Sequence, residues 1–253
     1  MDSFLELLAL ATAMGLAIFL SMPLVLRKSR SDRLLNLLSG AAVGILVFVL
    51  ADVWGNVATL LYLPNSFLTN VSLDALFLVA ALGAFLLLYF LEHRSGAARE
   101  ISPTTTALVV ALAIGFQNLT EGMVFGSAWA AGTLGLLAVI FAGFFLQNVT
   151  EGFPIAVPLL RAKERRVAQF SSYFLLGGIP ATLGAGVGFF WTSTPLIVGA
   201  DALAIGTCLY AILPMLKAAF RPAETPEATR LKQSLTYLGI GLGFAVGFLV
   251  NAF

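Results

Sequence analysis

Charge is scarce in this chain. Only 11% of its 253 residues are Asp, Glu, Lys or Arg, under half the share of an ordinary soluble domain. With 59% hydrophobic residues and a mean hydropathy of +0.96, a soluble globular fold is excluded. There is one cysteine, Cys208, and one histidine, His93. A lone cysteine excludes an internal disulfide. A lone histidine at a helix end leaves metal and acid–base chemistry without its usual imidazole donor. Alternating ten-residue strands are also missing, which excludes a membrane barrel. The formal net charge of +1 gives no sign of a nucleic-acid partner.

What the chain does have is apolar runs of about 20 residues, the length that crosses a hydrocarbon core. Eight are expected, at about 3–26, 34–55, 72–92, 104–130, 133–160, 167–190, 196–217 and 231–252. The fold class is therefore an all-α integral membrane protein forming one transmembrane domain over 1–253. The first run lacks a basic start and carries Asp2 and Glu6, so it reads as a membrane helix rather than a signal peptide. Breaks fall at Leu63-Pro64-Asn65-Ser66, Ala131-Gly132-Thr133 and Trp191-Thr192-Ser193-Thr194-Pro195, with a short linker at about 218–230 containing Pro222 and Pro226. Gly-rich spans two, four, six and eight are expected to pack closely.

Basic residues fall on one side. Arg27, Lys28, Arg30 and Arg33 follow span one, and Arg94 and Arg99 follow span three. Arg161, Lys163, Arg165 and Arg166 follow span five, while Lys217, Arg221, Arg230 and Lys232 lie at or beyond the end of span seven, which accounts for all 14 Lys and Arg. Basic residues gather on the cytoplasmic side, so both termini are expected outside. Asp2, Glu6, Asp52, Asp74 and Asp201 then lie toward the outer side, either as caps of helix ends or as a mouth that gathers cations. Asp52 and Asp201 are the candidate entrance residues. Trp54, Trp129 and Trp191 fall near the same interface, as an aromatic belt would.

One hexapeptide occurs twice. Gln117-Asn118-Leu119-Thr120-Glu121-Gly122 returns as Gln147-Asn148-Val149-Thr150-Glu151-Gly152, each copy near the middle of an apolar span. An acidic residue at a helix centre costs about 2.5–3.5 kcal/mol on insertion scales. Positions i, i+3 and i+4 share a helix face, so Gln117, Asn118 and Glu121 line up, as do Gln147, Asn148 and Glu151. The short Ala131-Gly132-Thr133 turn makes the two helices antiparallel neighbours. Together they offer two carboxylates and four amide oxygens. Two carboxylates balance one divalent cation, and an oxygen field suits magnesium, calcium or manganese without excluding zinc. Pro154 and Pro158 either free the Thr150 and Pro154 carbonyls for an ion or water, or only kink the helix.

These motifs resemble those of the ZIP family of divalent-metal transporters, in particular its bacterial GufA-like branch. The family pairs His-Asn-x-x-Glu-Gly on its fourth helix with Gln-Asn-x-x-Glu-Gly on its fifth. The second copy here matches, and the first matches at Asn118, Glu121 and Gly122 but has Gln117 in place of histidine. Leu91-Glu92-His93-Arg94 is similar to the family's usual end of the third helix. The resemblance implies a ZIP-like bundle of eight helices with outward termini. It also implies a metal held by Gln117, Glu121, Gln147 and Glu151, with Asn118, Asn148 and the same two glutamates approaching a second. Span seven has no glutamate where the family often supplies one, and the loop after span three has no histidine-rich run.

The function expected is inward transport of a divalent cation: zinc by the resemblance, iron or manganese as alternatives. The expected setting is the plasma or inner membrane, with lipid and the cation as partners and a homodimer as one arrangement. No cofactor and no enzymatic activity are expected. The alternatives are a non-transporting sensor or interaction protein on the same fold and, less favoured, an intramembrane metal-dependent hydrolase. Cys208 is expected to be an apolar filler.

Overall fold

In a computed structural model, the described residues include eight helices long and apolar enough to cross a membrane. The structure describes residues 2–23, 31–63, 68–93, 102–132, 134–162 and 167–251. The helices are α1 (Asp2–Leu16), α2 (Asp32–Leu61), α3 (Val71–His93), α4 (Pro103–Ala130), α5 (Leu134–Leu159), α6 (Val167–Phe190), α7 (Thr194–Ala219) and α8 (Pro226–Asn251). The fold is that of an all-α, multi-pass membrane protein, as the apolar runs require. Arg27, Lys28, Arg30, Arg94, Arg99, Lys163, Arg165 and Arg166, Pro64-Asn65-Ser66 and Thr133 lie outside the described residues, as does the His93 side chain.

Several helix ends differ from expectation, each for a local reason. The second helix runs through Gly55 to Leu61 rather than stopping near 55. Its start is fixed by the Ser31 hydroxyl, which accepts from Leu34 N at 3.3 Å, the usual service of an N-cap serine. The seventh and eighth helices begin earlier than expected because Pro195 and Pro226 sit inside their first turns, not in the breaks. Proline suits that position: its missing N–H has no intrahelical partner there. The linker between them shrinks to residues 220–225. Pro103 and the Ser102 cap, which accepts from Thr105 N at 3.1 Å, open α4 in the same way. The first span is not one α-helix, since α1 passes into a 3₁₀ stretch, Ala17–Ser21, ahead of Pro23. Pro23 has no N–H to donate to the Phe19 carbonyl, which accepts from Met22 N instead.

α4 lies at the centre, with most of its length buried, and packs against α6 with backbones nearly touching. A Cβ on Gly122 would overlap the Ala181 carbonyl oxygen, and one on Gly152 would overlap the Ile18 carbonyl oxygen. The glycine that ends each hexapeptide therefore lets a neighbouring element close directly behind its glutamate: α6 behind Glu121 and the 3₁₀ stretch behind Glu151. α2 and α8 approach by the same means through Gly40, Gly44, Gly239 and Gly243, the close packing expected of small residues in membrane helices. The α4–α5 turn uses Gly132 at φ +71, a left-handed position that follows a helix end and favours glycine. Trp129 Nε1 donates to Ser3 Oγ at 3.0 Å, tying the end of α4 to the start of α1.

Candidate functional site

Both hexapeptides face the same interior. Asn118, Asn148 and Glu151 are 0% exposed, Gln117 and Gln147 2%, and Glu121 7%. The helices meet in antiparallel register. Asn118 Nδ2 donates to Asn148 Oδ1 at 2.7 Å, and one turn along Gln147 Nε2 donates to Glu121 Oε1 at 2.9 Å. Gln147 Nε2 also donates to Glu151 Oε1 at 3.0 Å, and Gln117 Nε2 donates to Glu121 Oε1 at 3.0 Å. Asn118 Nδ2 reaches a third helix through the Gly177 carbonyl at 2.9 Å. Thr120 and Thr150 point back, each donating to the carbonyl of its own motif's glutamine at 2.7 Å.

After these bonds are made, a set of acceptors is left over. Gln117 Oε1, Asn118 Oδ1, Glu121 Oε2, Gln147 Oε1 and Glu151 Oε2 are buried without a hydrogen-bond donor, as is Asp201 Oδ1. Leaving one buried polar atom unpaired costs about 1–3 kcal/mol, more when charged, so six at one centre are a concentrated deficit of positive partners. Asn148 Oδ1 is taken up by Asn118, which leaves three open amide oxygens rather than the four the sequence suggests. The charged groups facing Glu121 are Glu151, Asp52 and Asp201, all acidic. Among the described residues no three His, Cys, Asp or Glu side chains close into a metal-binding group. The donor set is two carboxylates completed by amides.

Asp52 and Asp201 both belong to this neighbourhood. Asp52 Oδ2 lies 3.5 Å from Gln147 Nε2, and its Oδ1 accepts from Asn251 Nδ2 at 2.5 Å. Asp201 Oδ2 accepts from Asn56 Nδ2 at 3.1 Å. A cavity of ≈ 180 Å³ is lined by Asp52, Asn56, Gln117, Thr120, Glu121, Asp201 and Asn251. It runs from the end of the bundle where α2 and α8 terminate down to Glu121. Asn56 and Asn251 are the polar residues that the sequence reading missed. Asn56 fell beyond the end assigned to the second span, and Asn251 is an isolated amide at a chain end with no motif around it. Asp74 does not line this cavity and instead accepts the Thr69 hydroxyl at the start of α3. Glu6 is exposed on α1.

Pro154 and Pro158 lie inside an unbroken α5. Cys208 is buried in α7 with Sγ 3.5 Å from the Leu46 carbonyl, a weak donor in an apolar setting.

Fold and site together define a multi-pass helical membrane protein with a buried, acidic, amide-framed centre reached from one end. No family model and no curated protein matches the chain.

Proposed function

We propose that this protein is a divalent-cation transporter of the ZIP kind, with Glu121 and Glu151 as the charge-balancing ligands and Gln117, Gln147 and Asn118 as neutral ones. The observation that carries the reading is the cluster of buried oxygen atoms without donors, faced only by further acids. A divalent cation at that centre meets two carboxylates and offsets the cost of burying them. The resemblance of the two hexapeptides to the ZIP motifs supports the same reading. It favours zinc, whereas the all-oxygen field and the glutamine at 117 favour a harder ion such as manganese.

In this scheme the ion collects at Asp52 and Asp201, passes the Thr120 face and is held between α4 and α5. It leaves to the cytoplasm when the helices shift so that access alternates. Outward termini follow from the one-sided distribution of Lys and Arg, and the plasma or inner membrane is the setting proposed with them. The reading is of a transport protein, with the carboxylates and amides of the centre as ion ligands.

The test is uptake of zinc, iron and manganese into proteoliposomes, with Glu151→Gln as the comparison. Ion-dependent accumulation by wild type, lost in Glu151→Gln at equal membrane content, is the expected result. Tight binding with no accumulation would replace the transporter with a sensor on the same fold.

A further inference from the structure

At the end of the bundle away from Asp52, basic side chains from separate elements converge on a recess. Arg161 follows the end of α5, Lys217 lies in the last turn of α7, Arg221 follows that helix, and Lys232 lies in the second turn of α8. All four line one cavity of ≈ 610 Å³. A bias of cations toward one membrane face scatters them into water and headgroups. It does not require them to turn inward around a shared volume.

The recess is preorganised. Lys232 Nζ donates to the Arg221 carbonyl at 2.7 Å and to the Ala218 carbonyl at 3.3 Å, so it is pinned against the C-terminal end of α7. Arg161 Nη2 donates to Ser39 Oγ at 3.0 Å, which holds it against α2. Pinned in this way, Lys232 has the like charges of Arg161 and Arg221 facing it. The acid that faces Arg161, Asp32, lines the adjoining recess on the α2 side and not this one. Among the described residues the rest of the lining is apolar, with Leu213, Pro214 and Phe220 on its wall. A ligand that fits must carry concentrated negative charge at one end and tolerate an apolar wall beside it.

We propose that this recess binds the phosphate headgroup of an anionic membrane lipid, with its acyl chains lying along the apolar wall beside Leu213 and Phe220. Basic pockets between helices at the cytoplasmic side are suited to such headgroups. Phosphate oxygens accept from arginine and lysine in charge-assisted hydrogen bonds. The site is separate from the cation centre between α4 and α5.

The experiment titrates purified protein in zwitterionic micelles with phosphatidylglycerol and counts retained lipid by native mass spectrometry. Two charge-matched double variants are compared: Lys217→Gln with Arg221→Gln in the recess, and Arg33→Gln with Arg230→Gln at the same end but outside it. Phosphatidylglycerol is expected to bind wild type and the outside pair equally and the recess pair about 30-fold more weakly, with phosphatidylcholine indifferent to all three. Equal weakening in both pairs, or none in the recess pair, overturns the site by reducing it to general surface charge. Saturation of the recess by inorganic phosphate at the same concentration as the lipid overturns the lipid as its occupant.

Discussion

Gln147 Nε2 donates to Glu121 Oε1 at 2.9 Å across the α4–α5 interface while donating to Glu151 Oε1 on its own helix at 3.0 Å. One neutral amide thus links two acids from two helices. It supplies a partial positive charge where a cation would supply a full one. Gln147→Leu removes that donor, so that Glu151 Oε1 loses Gln147 and Glu121 Oε1 keeps only Gln117. Hydrogen bonds to charged groups contribute about 1.5–3 kcal/mol. Thermal unfolding in chelator is therefore expected at a lower temperature than for wild type, and added manganese, deprived of the Gln147 ligand, is expected to raise it by less than it raises wild type. Equal unfolding temperatures in chelator would remove Gln147 from the link.

Gln117→His restores an imidazole next to Glu121. Imidazole raises affinity for zinc over manganese, so the ratio of zinc to manganese uptake is expected to rise by about tenfold or more, one good ligand's worth at 1.4 kcal/mol per decade. An unchanged ratio in competition uptake would place residue 117 outside the ligand shell.

Asp201 has one oxygen held by Asn56 and the other without a donor, on the wall of the cavity that leads to Glu121. A residue that gathers the ion but does not hold it at the centre alters capture more than turnover. Asp201→Asn is expected to raise the KM for uptake several-fold with little change in maximal rate. A fall in maximal rate at constant KM would contradict its place at the mouth.

The motif glycines give a packing prediction with an internal control. Gly122→Val places a branched side chain against the Ala181 carbonyl, whereas a Cβ on Gly143 of α5 meets nothing within 4 Å. Overpacking costs about 1–3 kcal/mol or more. The first variant is expected to unfold well below wild type in a detergent melt, and Gly143→Val close to it. Similar melting of the two would show that α4 and α6 need no such approach.

Eight spans were legible because each apolar run is long enough to cross a bilayer and the breaks carry turn residues. The meeting of the two hexapeptides was legible too. A three-residue turn leaves consecutive helices no arrangement but antiparallel contact, and the helical period puts Gln, Asn and Glu on one face. Less visible was the length of α2, because a run of about 20 residues already spans a bilayer by residue 55, although the buried Val57 and Leu61 continue the helix beyond it. That misreading hid Asn56. Pro195 and Pro226 look like loop residues but occupy the one helical position where proline costs nothing. The role of Gly122 and Gly152 depends on carbonyls of α6 and of the 3₁₀ stretch, from distant parts of the chain. The convergence of Arg161, Lys217, Arg221 and Lys232 on one recess is equally tertiary. In the sequence they are only charges after the fifth and seventh spans.

The central claim is that the oxygen atoms between α4 and α5 hold a divalent cation. Electron paramagnetic resonance of manganese added to the purified protein tests it directly, because bound manganese loses the sharp spectrum of the free aqua ion. Wild type is expected to bind manganese, and to release it to excess zinc, while Glu121→Gln with Glu151→Gln leaves the free-ion spectrum intact. A wild type that binds neither ion, or a double variant that binds as tightly as wild type, would contradict the account.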